Sequence, residues 1–389
     1  MIPWPKVRLG EVVMPAERAE APMPGTTYRQ IGVKLWGEGA YERETMDGSQ
    51  TRYAQLFRAE AGDIIVNKIW ARNGSVAVVP KILAGCFGSG EFPMFAPKAD
   101  RLESRWMHWL TKTRGFWAQC DEKSRGTSGK NRIKPEQFLS VEIPLPPLAE
   151  QRRVVGRIEE LAAQIHEART LRHQAAEEAE ALVGAKASEM FRAATKNGST
   201  PLESEAALER GKFSHRPRNE PRFFGGEHPW IQIGEIESSN KYIRTWTQTL
   251  NDDGLAISKK FPRGTVLISI AATIGAVGIL DFDCCIPDSI VGVTPKPQTD
   301  SEFLYHYLGY LRGHLEEIAP QSAQKNINLG ILTEVPVPRL ALTEQRRIVA
   351  ELDALQAEVD TLKRLQAETA AELDALLPAI LDKAFKGEL

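Results

Sequence analysis

The strongest constraint on the fold is a long amphipathic segment that the chain uses twice. From Val154, and again from Ile348, apolar residues recur at alternating steps of four and three. Both segments open with Glu-Gln-Arg-Arg, at Glu150 and at Glu344, which lie 194 residues apart in a chain of 389. This spacing is typical of the a and d positions of a coiled coil. We therefore predict two long helices, one for each half of the chain.

Each predicted helix carries an apolar stripe between charged residues. The first stripe is Val154, Ile158, Leu161, Ile165, Ala168, Ala175, Ala179 and Leu182, and the second is Ile348, Leu352, Leu355, Val359, Leu362, Leu373, Leu376 and Ile380. Arg172, Gln366 and Thr369 interrupt them. Because neither stripe is stable in water, we predict an antiparallel intramolecular coiled coil, with a globular module at each end. The alternative is a dimerisation arm.

The segments before the two helices also resemble each other. Five short matches occur in the same order, at offsets that drift from 202 to 194 residues. They pair 28–32 with 230–234, 62–66 with 264–268, 74–78 with 275–279, 130–131 with 325–326, and 143–144 with 337–338. Matches in a fixed order are the signature of an internal repeat. We therefore predict that the chain contains two related modules.

Each module combines strand and helix patterns. Short β-branched runs bounded by glycine predict strands at 64–66, 76–79, 266–270 and 277–280. Residues 103–119 and 301–318 have helical spacing, and their aromatic residues fall on one face, which favours a core role over base stacking. The predicted fold class is α+β, with modules at 1–147 and 198–341 and long helices at 148–197 and 342–389.

Composition excludes several protein classes. The net charge of -2 is uninformative, although residues 1–147 carry 21 Lys and Arg against 16 Asp and Glu. Cys86, Cys120, Cys284 and Cys285 lack a Cys-x-x-Cys spacing, which disfavours a zinc site and favours buried free thiols. No apolar run suits a signal peptide or the ~18 residues of a membrane span. We expect a soluble cytoplasmic protein.

The end of the first module carries a distinctive motif. Residues 143–155 are Ile-Pro-Leu-Pro-Pro-Leu-Ala-Glu-Gln-Arg-Arg-Val-Val. This run resembles the specificity (S) subunits of type I restriction–modification systems, in which two target recognition domains alternate with two long helices. The second copy, Pro-Arg-Leu-Ala-Leu-Thr-Glu-Gln at 338–345, departs from the motif because it lacks the double proline. The order of modules and helices extends the resemblance over essentially the whole chain.

The resemblance implies a DNA reader without catalysis of its own. Each target recognition domain would read one half of a split, asymmetric site, and the helix pair would set the unread spacer. The helices would hold two modification (methyltransferase) subunits, which methylate adenine with S-adenosylmethionine. Restriction subunits, using ATP and Mg, could join that core. The chain itself would bind no cofactor.

Motifs for catalysis are missing or weak. An adenine methyltransferase needs an Asn/Asp-Pro-Pro-aromatic corner, but the only double proline here stands between Leu145 and Leu148. Residues 126–131, Gly-Thr-Ser-Gly-Lys-Asn, are too short for a phosphate loop. Two alternatives stay open, namely a coiled-coil adaptor whose modules bind protein and a self-sufficient methyltransferase.

Base edges are read by polar side chains on positioned loops, and phosphates bind cations and amides. In the first module, two loops have this composition, and solvated surface is the alternative for both. We predict DNA contacts from Lys123, Arg125, Thr127, Ser128, Lys130, Asn131 and Arg132 in one loop and Asn67, Lys68, Arg72 and Asn73 in the other.

The second module has different residues at the corresponding places. We predict DNA contacts from Gln321, Ser322, Gln324, Lys325 and Asn326, and from Ser269 and Thr273 in the glycine turn. A dense positive patch predicts a phosphate clamp at Lys212, His215, Arg216 and Arg218. Because the loops differ while the frame is shared, the two modules should read different sequences.

The repeated helix starts form another candidate site. A partner present in two copies needs a surface that is present twice. We predict a docking surface for such a partner at Glu150, Gln151, Arg152, Arg153, Glu344, Gln345, Arg346 and Arg347. The alternative is a set of solvated charges beside a coiled coil.

Overall fold

The computed structural model describes residues 4–124, 131–319 and 326–389. The chain forms two compact units. The first contains Met1–Arg172 and Ala367–Leu389, and the second contains His173–Gln366. Each unit therefore combines one module with parts of both long helices.

The described strands of the first unit form one pair and two sheets, of four and five strands. The strands are β1 (Lys6–Arg8), β2 (Val13–Pro15), β3 (Ala19–Glu20), β4 (Thr27–Val33), β5 (Ala40–Asp47), β6 (Leu56–Arg58), β7 (Ile64–Val66), β8 (Val76–Val78), β9 (Phe87–Gly88), β10 (Met94–Pro97) and β11 (Glu142–Pro144). The orders are β2-β10-β7-β8, β3-β6-β9-β4-β5 and β1-β11. The helices are α1 (Leu9–Val12), α2 (Ser104–Leu110), α3 (Arg114–Ser124), α4 (Pro135–Leu139) and α5 (Leu148–Thr195).

The predicted strand β7 is fully buried because it lies inside its sheet with both faces covered. Ile64 and Val66 pack against the aromatic helix residues Trp106 and Phe116. Ile65 points the other way, into a cluster with Ile31 of β4. A strand buried on both faces contains a continuous apolar run rather than an alternating pattern.

The predicted single helix at 103–119 is wrong, because the structure breaks it into α2 and α3. The hydroxyls of Thr111 and Thr113 donate to the backbone oxygens of His108 and Leu110, at 3.0 and 2.8 Å. Such local hydrogen bonds compete with helix continuation. The aromatic residues nevertheless occupy the core as predicted, since Trp106 is 0% exposed.

The second unit repeats this plan. Its strands are β12 (Ser199–Pro201), β13 (Ala206–Arg210), β14 (Phe224–Trp230), β15 (Tyr242–Ile243), β16 (Gln248–Leu250), β17 (Lys260–Phe261), β18 (Val266–Ser269), β19 (Val277–Leu280), β20 (Cys284–Cys285), β21 (Ile290–Pro295) and β22 (Pro336–Pro338). Its helices are α6 (Leu202–Glu205), α7 (Ile233–Glu237), α8 (Asp252–Ala256), α9 (Ser301–Tyr310), α10 (Arg312–Ile318), α11 (Leu329–Thr333) and α12 (Leu342–Lys386). Here too the predicted helix at 301–318 is divided in two.

The sheet orders confirm the internal repeat. The order β13-β21-β18-β19 matches β2-β10-β7-β8, with β15 added at one edge. The order β16-β14-β20-β17 matches β5-β4-β9-β6, and the pair β12-β22 matches β1-β11. In both units the contact of β4 with β9, or of β14 with β20, is parallel. The α+β fold of two related modules is therefore confirmed.

Two of the five sequence matches have the wrong register. Gln30 pairs with Phe87 of β9, and Trp230 pairs with Cys285 of β20, so the match of 28–32 with 230–234 is two residues off. The Ile133 amide donates to the Lys68 carbonyl at 2.9 Å, and the Ile327 amide donates to the Ile270 carbonyl at 2.9 Å. The Lys-Asn pairs are therefore one residue out of register, since the first module has Arg132 in addition.

In each unit the module's core includes the far end of the helix that starts in the other half of the chain. In the first unit, the ring of Phe385 in α12 lies 4.8 Å from that of Trp106. In the second, Phe191 of α5 is 0% exposed, and its ring lies 5.1 Å from that of Tyr307. Phe191 and Phe385 are 194 residues apart, the same interval as the helix starts.

The long helices pair in antiparallel fashion within each unit, as predicted. In the first unit Arg172 donates to Thr369 at 2.8 Å, and Arg169 lies 2.7 Å from Asp374. In the second unit Lys186 lies 3.0 Å from Glu351, and Glu180 pairs with Lys363. Residue numbers rise along α5 as they fall along α12.

The second halves of the predicted stripes are only partly correct, because Ala179, Leu373 and Ile380 are half-buried but three other predicted residues are exposed. Leu182 and Leu376 are 56% and 46% exposed, and Ala175 is exposed. Val183 and Leu377 are half-buried in their place. A helix with 3.6 residues per turn drifts away from a strict seven-residue repeat, and steps of three, four and four keep a stripe on one face.

Candidate nucleic-acid interface and helix starts

The loop between β7 and β8 is held in one conformation by its own polar groups. The Asn67 side chain accepts hydrogen bonds from the amides of Ile69 and Trp70 at 3.1 and 3.3 Å. Gly74 closes the loop with φ 76°, a left-handed conformation that suits glycine. Asn67 therefore shapes the loop, with its side-chain oxygen already occupied.

The two loops predicted in the first module lie together. The Ile133 amide donates a hydrogen bond to the Lys68 carbonyl. The Glu91 carboxylate connects the side chains of Lys68 and Arg132. One Glu91 oxygen lies 3.6 Å from the Lys68 ammonium and 3.2 Å from the Arg132 guanidinium. Two cations share one carboxylate, so a positive charge remains at this edge. Asn131 is half-buried beside Arg132, and Lys123 occupies the last turn of α3.

The other end of this loop contacts a distant turn. The Arg72 guanidinium lies 5.8 Å from the centre of the Trp70 ring, and the Asn73 carbonyl accepts from the Trp36 amide at 2.7 Å. Trp36 and Trp70 are 59% and 44% exposed. Neither tryptophan was among the predicted contacts. Trp70 lies inside the predicted loop, whereas Trp36 lies more than thirty residues before it.

Some predicted residues lie outside the described residues. They are Arg125, Thr127, Ser128 and Lys130 in the first module, and Gln321, Ser322, Gln324 and Lys325 in the second. Asn131 and Asn326 lie beside these segments and belong to the described residues.

In the second unit, the predicted loops surround a cleft. The backbone of Asn326 forms a β-bridge with Ala271 in the β18–β19 turn. Arg210 and Arg218 line the same cleft, whose volume is ≈ 650 Å³. Three sequence segments that were predicted separately are therefore brought to one place.

A neighbouring cleft of ≈ 570 Å³ shares Arg218 with the first and adds residues that sequence reasoning missed. Gln232 donates to the side-chain oxygen of Gln248 at 2.9 Å, and both are exposed. Trp230 lies at the same wall. Exposed carboxamides have the donor and acceptor pattern that reads adenine.

The positive patch of the second module is partly neutralised by Asp288, which sequence reasoning also missed. The carboxylate of Asp288 lies 2.9 Å from Arg216 and also pairs with Arg218. Lys212 is exposed, whereas His215 packs its ring 4.9 Å from that of Phe223. The patch therefore presents oriented guanidinium groups rather than a free cluster of charge, and the phosphate clamp stays a prediction.

The prediction for Ser269 is wrong, because this side chain is 0% exposed. Its hydroxyl donates to the Thr273 carbonyl and accepts from the Ala276 amide at 2.9 Å. Ser269 therefore closes the β18–β19 turn. Thr273 is half-buried in the same turn.

The glutamines of the helix starts are also not surface residues, so the docking prediction is wrong for them. Gln151 is 0% exposed, accepts from the Glu103 amide at 2.9 Å, and donates to two backbone oxygens, at Arg101 and Pro146. Gln345 is 2% exposed and repeats the pattern with the Asp300 amide at 2.8 Å and the oxygens of Gln298 and Leu340. Each glutamine ties the helix start to the module before it.

The charged residues of the helix starts remain at the surface and repeat their contacts. Arg152 and Arg346 lie 3.1 and 3.5 Å from Glu103 and Asp300. Arg153 and Arg347 form two hydrogen bonds each, with Glu150 and Glu344. These bonds lower the pKa of both glutamates, so the pairs stay charged at neutral pH. The docking prediction is now limited to the charged residues of the two motifs, which are Glu150, Arg152, Arg153, Glu344, Arg346 and Arg347.

Elsewhere, Cys86, Cys120, Cys284 and Cys285 are buried and unpaired, as predicted, and burial raises the pKa of Cys120 to about 12. Across residues 4–124, 131–319 and 326–389, no group of His, Cys, Asp and Glu side chains could hold a metal ion. None of the helices in the described residues is long and apolar enough to cross a membrane.

Comparison with known proteins decides the family. The model of the type I restriction modification DNA specificity domain matches residues 1–172 and 188–370. The chain belongs to this specificity family.

As a type I specificity subunit, the chain has relatives of known role. It is 23% identical over 325 residues to the specificity subunit of the type I restriction enzyme EcoDI from Escherichia coli, covering 74% of this chain and 70% of the relative. The HsdS subunit from Thermoanaerobacter tengcongensis has 29% identity and a TM-score of 0.66, covering 100% of this chain and 98% of that one. A second structure, from work on assembly and conformational transition of the type I R-M system, has 27% identity and a TM-score of 0.73, covering 100% and 99%.

These comparisons establish the role of the chain as DNA recognition. A specificity subunit is not itself an enzyme, and the catalytic activity belongs to partner subunits. The subunit acts with DNA and with methyltransferase subunits.

Proposed function

We propose that each module of this specificity subunit reads one half of a bipartite, asymmetric DNA site. One observation carries the proposal: the units share their sheet order but differ at the same loop. The residue whose backbone oxygen accepts the repeated hydrogen bond is Lys68 in the first unit and Ile270 in the second. Trp70 and Arg72 follow Lys68, whereas Ala271 and Ala272 follow Ile270. A shared frame with different side chains supports two different half-sites.

In the first module, we assign DNA contact to the edge formed by Lys68, Arg72 and Arg132. Cations here would bind phosphates, and those bonds position a protein on the duplex without specifying the sequence. In the second module, we assign DNA contact to the two neighbouring clefts around Arg218, Asn326 and the Gln232–Gln248 pair. Specificity there would come from the carboxamides, because they can form two hydrogen bonds with one base edge.

We further propose that two methyltransferase subunits dock on the repeated helix starts. Glu150, Arg152 and Arg153 form the same exposed pairs as Glu344, Arg346 and Arg347. A surface that occurs twice suits two copies of one partner. Where restriction subunits are present, they would join this complex in the cytoplasm with ATP and Mg, and S-adenosylmethionine would bind the methyltransferases.

We assign residues 1–147 and 198–341 to the two target recognition domains. We assign residues 148–197 and 342–389 to the two spacer helices. The helix pair would set the number of unread base pairs between the half-sites.

The test is methyladenine mapping in a host that lacks other adenine methylation, with this chain co-expressed with its methyltransferase partners. We expect one split site with two different halves. Gln232→Ala should relax only the half-site of the second module, whereas Arg132→Ala should lower methylation of the whole site without changing the sequence of either half. Methylation without a defined split site would contradict the proposal, and so would a variant in one module that altered the opposite half-site.

Salt dependence separates DNA binding from a protein-adaptor role. Neutralised phosphates release counterions, so affinity for the mapped duplex should fall steeply between 50 and 200 mM salt, by about 10³-fold if six phosphates are contacted. An affinity that is insensitive to salt would favour the adaptor.

A further inference from the structure

The turn before β5 contains an unusual tryptophan. Trp36 has φ 58°, which lies in the left-handed region. Bulky residues rarely adopt this conformation, and it persists only where surrounding contacts enforce it. Yet Trp36 is 59% exposed, so burial of its ring in a core does not compensate for the strain.

The contacts that enforce this conformation come from the predicted DNA-binding loop and the helix region behind it. The amides of Trp36 and Gly37 donate to the carbonyls of Asn73 and Gly74, at 2.7 and 3.1 Å. The Lys112 ammonium donates to the Gly37 carbonyl at 2.7 Å. On the other side, the Trp117 ring lies 6.1 Å from that of Trp36. The strained turn is therefore fixed in position against the loop between β7 and β8.

Space around the turn confirms how closely these segments meet. A Cβ added to Gly74 would lie 2.7 Å from the Trp117 ring and 2.9 Å from the Gly37 nitrogen. A Cβ added to Gly37 would lie 3.0 Å from the Lys112 backbone. Because Gly74 has no room for a side chain and Gly37 has little, this close packing fixes the backbone position of Trp36.

A second exposed indole belongs to the same loop. The Asn73 amide donates to the Trp70 carbonyl at 2.9 Å, so backbone bonds link Trp36 to Trp70 through Asn73. Trp70 is 44% exposed and lies 5.8 Å below the Arg72 guanidinium. Lys68, at the start of the loop, adds another cation. Two exposed aromatic faces thus lie beside cations that suit phosphates.

We propose that Trp36, supported by Trp70, stacks on a nucleobase at an opened base step in the half-site of the first module. The proposal rests on the proposed DNA-reading function. An indole offers one N–H donor and a large π-face, so stacking is its main means of binding a base. In a duplex, base faces are accessible only where a step is unstacked, and apolar side chains that insert there kink the DNA. The fixed turn lowers the ordering cost on binding, because its backbone is already held in place.

DNA is favoured over a protein partner because the indoles share their loop with Lys68, Arg72 and the adjacent Arg132. A Lys and Arg border matches a phosphate backbone, and stacking beside a cationic groove is a common arrangement for nucleic acid. A protein partner would be detected as lost assembly in the test below.

The test uses the complete complex of this chain with its methyltransferase partners and duplexes that contain the mapped site. 2-Aminopurine replaces in turn each adenine of the first module's half-site that is not itself methylated, because a methyltransferase flips its target base out of the stack. The fluorescence of 2-aminopurine rises when it unstacks. The variants are Trp36→Gly, Trp36→Ala and Trp36→Phe. Tyr53→Ala is the matched control, because Tyr53 is an aromatic of the same module with 52% exposure.

We expect Trp36→Ala and Trp36→Gly to weaken binding on the order of ten-fold and to abolish the fluorescence rise, while Trp36→Phe retains part of both. Trp36→Gly should leave the thermal unfolding midpoint unchanged or higher, because glycine relieves the strain. The Tyr53 variant should match the wild type.

Unchanged affinity and fluorescence in Trp36→Ala would overturn the inference. A large fall in the unfolding midpoint of Trp36→Gly would overturn it as well, since Trp36 would then be structural. Loss of complex assembly would assign the surface to a protein partner instead. If the wild-type complex itself bound no defined site, the proposed function would fail, and the inference with it.

Discussion

At the scale of single residues, the repeated Glu-Gln-Arg-Arg motif has a divided role. Its arginines and glutamates lie at the surface in ion pairs, whereas Gln151 and Gln345 are buried. The sequence shows four polar residues in a row and does not distinguish these roles. The difference arises because a helix turns by 100° per residue, so one position of the four faces the module.

Replacement of Gln151 by alanine should destabilise the first unit by about 2–4 kcal/mol. The change removes three hydrogen bonds and leaves backbone groups of Glu103, Arg101 and Pro146 without these partners. Urea unfolding of the variant measures the loss. Gln356→Ala on α12 is the control and should be nearly neutral, because Gln356 bonds only to an exposed carboxylate among the contacts described, that of Asp360. Equal effects would contradict the buried role of Gln151.

At the scale of elements, the four strands that the sequence predicts are present, and the long helices are predicted in part. Val266–Ser269 and Val277–Leu280 lie within one residue of prediction, because β-branched runs between glycines have few alternatives. The predicted stripe on α5 fails at Ala175 and Leu182, because the spacing changes after Arg172 and small alanines carry little periodic signal. Leu182 was predicted to be inside, yet the half-buried residue is Val183.

The proposed interface is predictable from the sequence only where it follows the repeat. Lys68, Arg132 and Asn326 are predicted because polar loops recur at the same place in both modules. Trp36, Gln232 and Asp288 were missed, because they are brought to the loops by sheet pairing and turns between residues distant in sequence. Such long-range contacts leave no local pattern.

The end of α5 should stabilise the second unit, although the helix starts beside the first module. Phe191→Ala would leave a cavity among Phe303, Tyr307 and Tyr310, at a cost of about 3–5 kcal/mol. Hydrogen exchange should rise in β18 and α9 and stay unchanged in β7. Leu182→Ala, on the same helix but exposed, should change stability by less than about 0.5 kcal/mol. Faster exchange confined to the first unit would contradict this assignment.

At the scale of the whole molecule, each half of the chain contributes to both units. Each unit takes a helix start from its own module and a helix end from the other half of the chain. The chain passes from one unit to the other at Arg172–His173 and at Gln366–Ala367, and both points lie inside a long helix. We therefore expect that lengthening these helices leaves both modules intact.

Insertion of seven residues at both crossing points should lengthen the unread spacer without changing either half-site. Seven helical residues span about 10 Å, which corresponds to roughly three base pairs. Methyladenine mapping of the complex would measure the spacer directly. The paired insertion keeps the antiparallel contacts in register within each unit, such as Arg169 with Asp374 and Lys186 with Glu351. The same insertion in α5 alone is the control, and it should impair the complex because one helix no longer matches its partner. A spacer of unchanged length, or altered half-site sequences, would show that the helices do not set the spacing.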